Sequence, residues 1–256
     1  MNSKYSIRER TSEYFKAFYI TYKIVVLNKM HSNILLDFKL GGDTMSLYLG
    51  KVHYWLFNKI LWFEGLENEI ITLGKNEGLD IDNLSKEIND KYGEKTPNIP
   101  LEEMIDTTNI HGWLQEKINS AEGRMAAWTT KVLNNNSEAN LKMENIYTEQ
   151  GIKAAQEVKE NGNEITTAVD IFNSINDYIL DGMPCDRVNE VVTSEENIVE
   201  WKIRVCVHEH IWNKEQGDVG YFYKLRSLWI KAFVSEINSN FEYIEREDGV
   251  KVITRK

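Results

Sequence analysis

The chain has 256 residues, with 30 basic and 40 acidic side chains, a net charge of −10 and two cysteines. That balance argues against a nucleic-acid binder, because phosphate contact needs a basic face that releases counterions. Two cysteines, Cys185 and Cys206, cannot build a secreted disulfide framework, so a reducing cytoplasmic setting is expected. An apolar content of 42% with 27% charged residues describes a folded chain of one or two domains, neither disordered nor membrane-spanning.

The charge is unevenly placed. Residues 1–44 carry seven lysines and arginines against four acids, a balance of +3, which leaves −13 for the remainder. The best apolar run of this leader, Ile24-Val25-Val26-Leu27, is too short for a signal-peptide core or a membrane span. It ends Leu40-Gly41-Gly42-Asp43-Thr44 before Met45. Those codons can encode a bacterial ribosome-binding site, so the expected natural start is Met45 and residues 1–44 are read as a non-native or disordered leader. The alternative is a helical arm with a Gly-Gly linker.

Residues 45–182 read as a helical bundle. Apolar positions recur at helical spacing from Ser46 to about Gly78, and the segment Val52–Phe63 is apolar almost all round, which predicts a helix buried between partners. Asp80 or Asp82 caps a short amphipathic helix ending near Gly93, and Thr96–Pro100 is a loop. A second long helix runs from Thr108 or Asn109 to Asn134. A third spans 138–160, broken or bent near Gly151, and a fourth runs from about Thr166 to Leu180.

From Gly182 the period changes. Val188–Val192 and Ile198–Cys206 alternate around the turn 193–197, predicting an antiparallel hairpin. A short helix through Ile211-Trp212 and a longer one over about 219–237 follow. Residues 241–245 and 250–253 around Asp248-Gly249 make a second hairpin. The expected fold is therefore α+β: an N-terminal helical bundle packed with a C-terminal ββααββ antiparallel-sheet unit over 183–256, the two making one body.

Three constellations could carry chemistry. His53 and Glu64 are eleven residues apart on the first helix, with Glu67 near the same line, and His111 and Glu122 repeat that spacing on the second. Antiparallel packing would set His53 opposite Glu122 and Glu64 opposite His111, a polar layer of the kind that holds a divalent metal in a bundle. Cys206, His208 and His210 alternate, so on an extended segment they would share one side and suit metal ligation or a thiolate with an adjacent base. The Asp181–Arg187 segment reads as a structural elbow, which could also let Cys185 approach Cys206. Trp62 and Trp113 are candidates for an aromatic ligand wall.

The residues Trp55 and Leu61-Trp62-Phe63-x-x-Leu66-Glu67, with the hairpin running into Cys206, resemble a poorly characterised bacterial group related to the aminothiazoline-carboxylate hydrolase family. Relatives carry His-Asp where this chain has Asn58-Lys59, and further cysteines near the C-terminus. The resemblance implies a helical segment leading into an α+β domain that encloses a small molecule; Trp62, Glu67 and Cys206 carry over by position. Three functions are therefore weighed. The first is a small-molecule hydrolase acting on a C–N bond, with Cys206 as nucleophile and His208 or His210 as base. The second is a non-catalytic small-molecule-binding or sensor module with an aromatic-lined pocket. The third is a homo-oligomer formed through the apolar 52–63 helix.

Overall fold

Helix α1 (Lys51–Asn76) starts where the Gly50 amide donates to His53 Nδ1 at 2.9 Å, satisfying one orphan donor of the first turn. Leu56, Phe57, Ile60, Phe63, Leu66, Ile70 and Leu73 are buried along it, as the apolar run predicts. Asp80 then accepts from the Asn83 amide and caps α2 (Ile81–Tyr92), which ends at Gly93. This computed structural model describes residues 49–162 and 164–256; the leader 1–44 and the expected start at Met45 lie outside the described residues. Residues 49–98 and 105–256 form one compact unit, while 99–104, with the short helix α3 (Leu101–Met104), belongs to a second.

Helix α4 (Ile110–Asn135) is capped by Asn109, whose side chain accepts from the Gly112 amide at 3.1 Å. It runs parallel to α1, with His53 against His111, Phe57 against Trp113 and Gly74 against Val132. The expected antiparallel pairing of His53 with Glu122 and Glu64 with His111 is therefore corrected: two helices sharing one direction bring like positions together. A 3₁₀ turn, Ser137–Ala139, leads into α5 (Asn140–Glu160). This helix runs unbroken through Gly151, contrary to the expected bend. Gly151 is there because α5 packs against α8 (Val219–Ile237) so closely that a Cβ would run into the Trp229 carbonyl oxygen. Gly151→Ala is accordingly expected to cost about 1–3 kcal/mol through overpacking; an unchanged urea midpoint would show that the helices can separate freely.

The pair α5 and α8 is also parallel: Asn140 and Glu144 meet Tyr221 and Lys224 at one end, and Lys159 meets Glu236 at the other. Helix α6 (Ala168–Asn176), capped by Thr167, stops short of the predicted Leu180: the Asp177 and Tyr178 amides turn back to the Ser174 and Ile175 carbonyls, and the Leu180 carbonyl accepts from Arg226 at 2.9 Å.

The C-terminal part forms the α+β arrangement. Strands β1 (Asn189–Glu195), β2 (Ile198–Ile203), β3 (Phe241–Glu245) and β4 (Lys251–Arg255) make an antiparallel sheet in the order β1-β2-β4-β3. The first hairpin turn is tighter than predicted, with Glu195 opposite Ile198, and a register shift between Val191 and Thr193 absorbs the extra residue. Helix α6 covers the sheet through Phe172 on Trp201, ring centroids 5.0 Å apart. Strand β2 ends at Ile203, and a bend then leads to α7 (Glu209–Lys214). The predicted extension through Cys206 is thus corrected. The single-sided alignment of Cys206, His208 and His210 is lost, since His208 occupies the residue before a helix. No helix among the described residues is long and apolar enough to cross a membrane.

Candidate functional site

Charge is buried at three places along the bundle. Glu64 and Glu67, one turn apart on α1, receive Arg124 from α4. The guanidinium is 0% exposed, with Nε donating to both Glu67 oxygens (3.0 and 3.1 Å) and Nη2 to Glu64 Oε1 (2.6 Å). Its Nη1 reaches the Gly93 and Glu94 carbonyls and Ser120 Oγ. Glu64 also accepts from the Thr96 amide at 3.0 Å. The triad thus ties α1, α4 and the 93–96 loop together. Burial pushes the Glu67 pKa up to about 7, opposed by Arg124 and Lys95 and aided by Glu64.

Deeper along α4, Glu122 faces away from α1 towards His208, which is 0% exposed. His208 Nδ1 lies 3.1 Å from Glu122 Oε1, close enough for charge attraction but out of line for a hydrogen bond. Nε2 lies 3.1 Å from Asp181 Oδ1. Asp181 is also held by Arg226 Nη1 and by Asn189 Nδ2 at 2.8 Å. Burial alone would lower the His208 pKa. Glu122 and Asp181 outweigh it, against the opposing charge of Arg226, and hold it at about 9. Burial would raise the Asp181 carboxyl, but Arg226 and His208 keep it well below the ordinary carboxylate range.

The third place is on the α1 face turned to the 177–181 segment. Trp55 Nε1 donates to Asp177 Oδ1 at 2.8 Å, Trp62 packs edge-on against Tyr178 with centroids 4.8 Å apart, and Lys59 sits between the two tryptophans in sequence. Lys59 is 6% exposed, with Nζ 3.9 Å above the Trp55 ring. Burial lowers its pKa to about 8, with Asp181 and Asp177 acting the other way.

Beside Arg226 lies a recess of ≈ 30 Å³, walled by Trp62, Tyr147, Tyr178, Phe222 and Trp229. That volume holds a water or two. Gln150 spans its edge, donating to the Trp62 carbonyl at 2.8 Å and accepting from Trp229 Nε1 at 2.9 Å.

The sequence-predicted residues are distributed over these places. His53 and His111 meet at one end of the α1–α4 pair, ring centroids 5.7 Å apart; burial and then His111 lower the His53 pKa. Trp113 packs on Phe57 near that end. Glu64 and Glu67 share Arg124, and Glu122 joins His208. Trp62 walls the recess. Cys206 is exposed and accepts from Tyr223 Oη at 3.2 Å, while His210 is exposed on α7. His208 and Cys206 therefore do not share an opening: one side chain is turned inward, the other outward. Among the described residues no group of three or more His, Cys, Asp or Glu side chains is placed to hold a metal ion.

Sequence reasoning missed Lys59, Arg124 and Arg226, and took Asp181 only as the start of the 181–187 elbow. The signal for two of them was a lone cation inside an apolar helical run, Lys59 beside Ile60 and Arg124 beside Met125, whereas Arg226 follows Lys224 by two residues. Fully buried Lys and Arg are rare unless paired. Comparison with known proteins gives no matching family model, no similar curated protein and no similar solved structure.

Proposed function

We propose that the protein is a small-molecule-binding module whose ligand occupies the aromatic recess between α1, α5 and α8. The observation that carries this reading is the conjunction of an apolar-walled space with one buried guanidinium. Arg226 lines the recess, its Nη1 held by Asp181 and its Nη2 by the Leu180 carbonyl and beside His208 Nε2. An apolar wall with one convergent donor is the usual make-up of a ligand site. As it stands the recess takes a water or two, so a ligand with an acceptor at one end and a short apolar body, such as a short-chain carboxylate, enters by displacing a wall residue. Half-buried Trp62 is the wall residue that can give way to something larger.

Thermal unfolding in propionate against chloride at equal ionic strength tests this. At ten times its Kd, a ligand specific for the folded state adds about 1.4 kcal/mol, which raises the midpoint by roughly 3–5 °C in a chain of this size. Trp62→Ala is expected to change that increment. Equal midpoints in propionate and chloride, with unchanged tryptophan fluorescence, would overturn the reading.

A further inference from the structure

The 181–187 elbow and the bend after β2 carry the two cysteines, and contacts tie these segments together on both sides of each. At one end Asp181 Oδ1 stands 3.1 Å from His208 Nε2, and Gly182 lies so near Val207 that a Cβ on it would meet Val207 Cγ2 at 3.4 Å. At the other end the Val188 carbonyl accepts from the Arg204 amide at 2.7 Å. The Arg204 guanidinium donates there to the Asp186 and Arg187 carbonyls, both at 3.0 Å. The two segments therefore run antiparallel, and the register of these contacts sets Cys185 opposite the stretch around Cys206. Cys185 sits in the 3₁₀ turn Pro184–Asp186, which the Met183 amide closes by donating to Asp186 Oδ2 at 2.8 Å. The Cys206 sulfur is held by the Tyr223 hydroxyl at 3.2 Å. Both thiols are exposed.

We propose that Cys185 and Cys206 are a redox pair that closes to a disulfide, with a low-molecular-weight disulfide such as oxidised glutathione as the oxidant. One cysteine thiolate attacks a sulfur of the oxidant; its S–S bond breaks, a mixed disulfide forms and one glutathione thiolate leaves. The other cysteine thiolate attacks the protein-bound sulfur, forming the Cys185–Cys206 bond and releasing the second glutathione thiolate. Two cysteine thiols are thus oxidised, and the oxidant is reduced to two thiols that take up the two protons. The ring so closed encloses the β1–β2 hairpin and fastens the elbow whose Asp181 holds both His208 and Arg226. Neither cysteine walls the recess beside Arg226, so the pair stands or falls apart from the ligand reading.

Equilibration of the full chain with reduced and oxidised glutathione, about 1 mM each, with and without urea, tests the pair once the products are acid-quenched and mapped by non-reducing peptide mass spectrometry. Two sulfurs held within reach of each other have an effective concentration well above millimolar, so in the folded chain the peptide linking Cys185 to Cys206 is expected to outnumber glutathione adducts by about tenfold or more. In urea only the connecting chain holds them together, at a millimolar effective concentration, and the ratio should fall towards one. Cys185→Ser and Cys206→Ser should each leave a single glutathione adduct and no internal link. Because the mapping is done on the unaltered protein, a variant that fails to fold does not blunt the result. Thiols that stay free, adducts that exceed the linked peptide in the folded chain, or a link as abundant in urea as without it would refute the pair.

Discussion

Arg124→Ala is expected to destabilise the protein by about 3–5 kcal/mol, the cost of leaving buried charge without its counter-ion. Two carboxylates depend on this one guanidinium, together with the Gly93 and Glu94 carbonyls and Ser120. The effect is a property of the unpaired acids rather than of the lost arginine contacts alone. Adding Glu67→Gln to Arg124→Ala should therefore recover part of the loss, since a neutral amide there needs no cation. Urea unfolding of the three proteins measures this. A single-variant loss under about 1 kcal/mol would mean that water reaches the triad, and a double variant no better than the single would locate the cost elsewhere.

The second large effect is a loss of stability on the alkaline side. Folding raises the His208 pKa from 6.5 to about 9. Its contribution is therefore complete below pH 6.5 and is lost as the pH rises through 9. A shift of that size corresponds to about 3 kcal/mol. Glu67 adds to the same slope at lower pH, because its raised pKa means that the folded state holds a proton up to about pH 7. His208→Leu should cost stability at pH 6, where Glu122 and Asp181 lose their partner, and should flatten the profile between 6.5 and 9. Urea midpoints at pH 6, 7.5 and 9 read both. A wild-type profile without decline over that interval would contradict the charged state assigned to His208.

The helices were legible in the sequence because their signals are local. Periodic apolar positions placed α1, α4 and α8 to within a few residues, and of the two starts weighed for α4, Thr108 or Asn109, the structure makes Asn109 the N-cap. What periodicity lacks is direction. The eleven-residue spacing of His53 and Glu64 is the same whichever way α4 runs, so it could not distinguish the parallel pairing that sets His53 against His111. Gly151 failed for a related reason: a glycine in a helix reads the same whether it bends the chain or admits a neighbour, and the neighbour lies far along the sequence.

The candidate site was less legible still. Alternation predicted one face for Cys206, His208 and His210, but β2 ends at Ile203 and the bend after it rotates His208 into the core. Glu64, Glu67 and Glu122 were singled out as polar residues of the two long helices, and all three are buried. Arg124, which holds Glu64 and Glu67, and Arg226, which joins Asp181 beside His208, were not singled out, because they gain significance only when distant segments converge.

The shared direction of α1 with α4, and of α5 with α8, has a kinetic consequence. Helices joined by a short turn run oppositely and can pair as soon as both are made. Parallel helices must wait for the chain to travel back the length of the bundle. Between α5 and α8 that return passes through α6, the first hairpin and α7. This close helix contact therefore closes a long loop, with Glu144 and Lys224 80 residues apart, and the entropy of closure falls before the packing gain. Folding is expected to be slow for so helical a chain, and a nascent chain released before α8 emerges would hold Gln150 and Gly151 open to solvent.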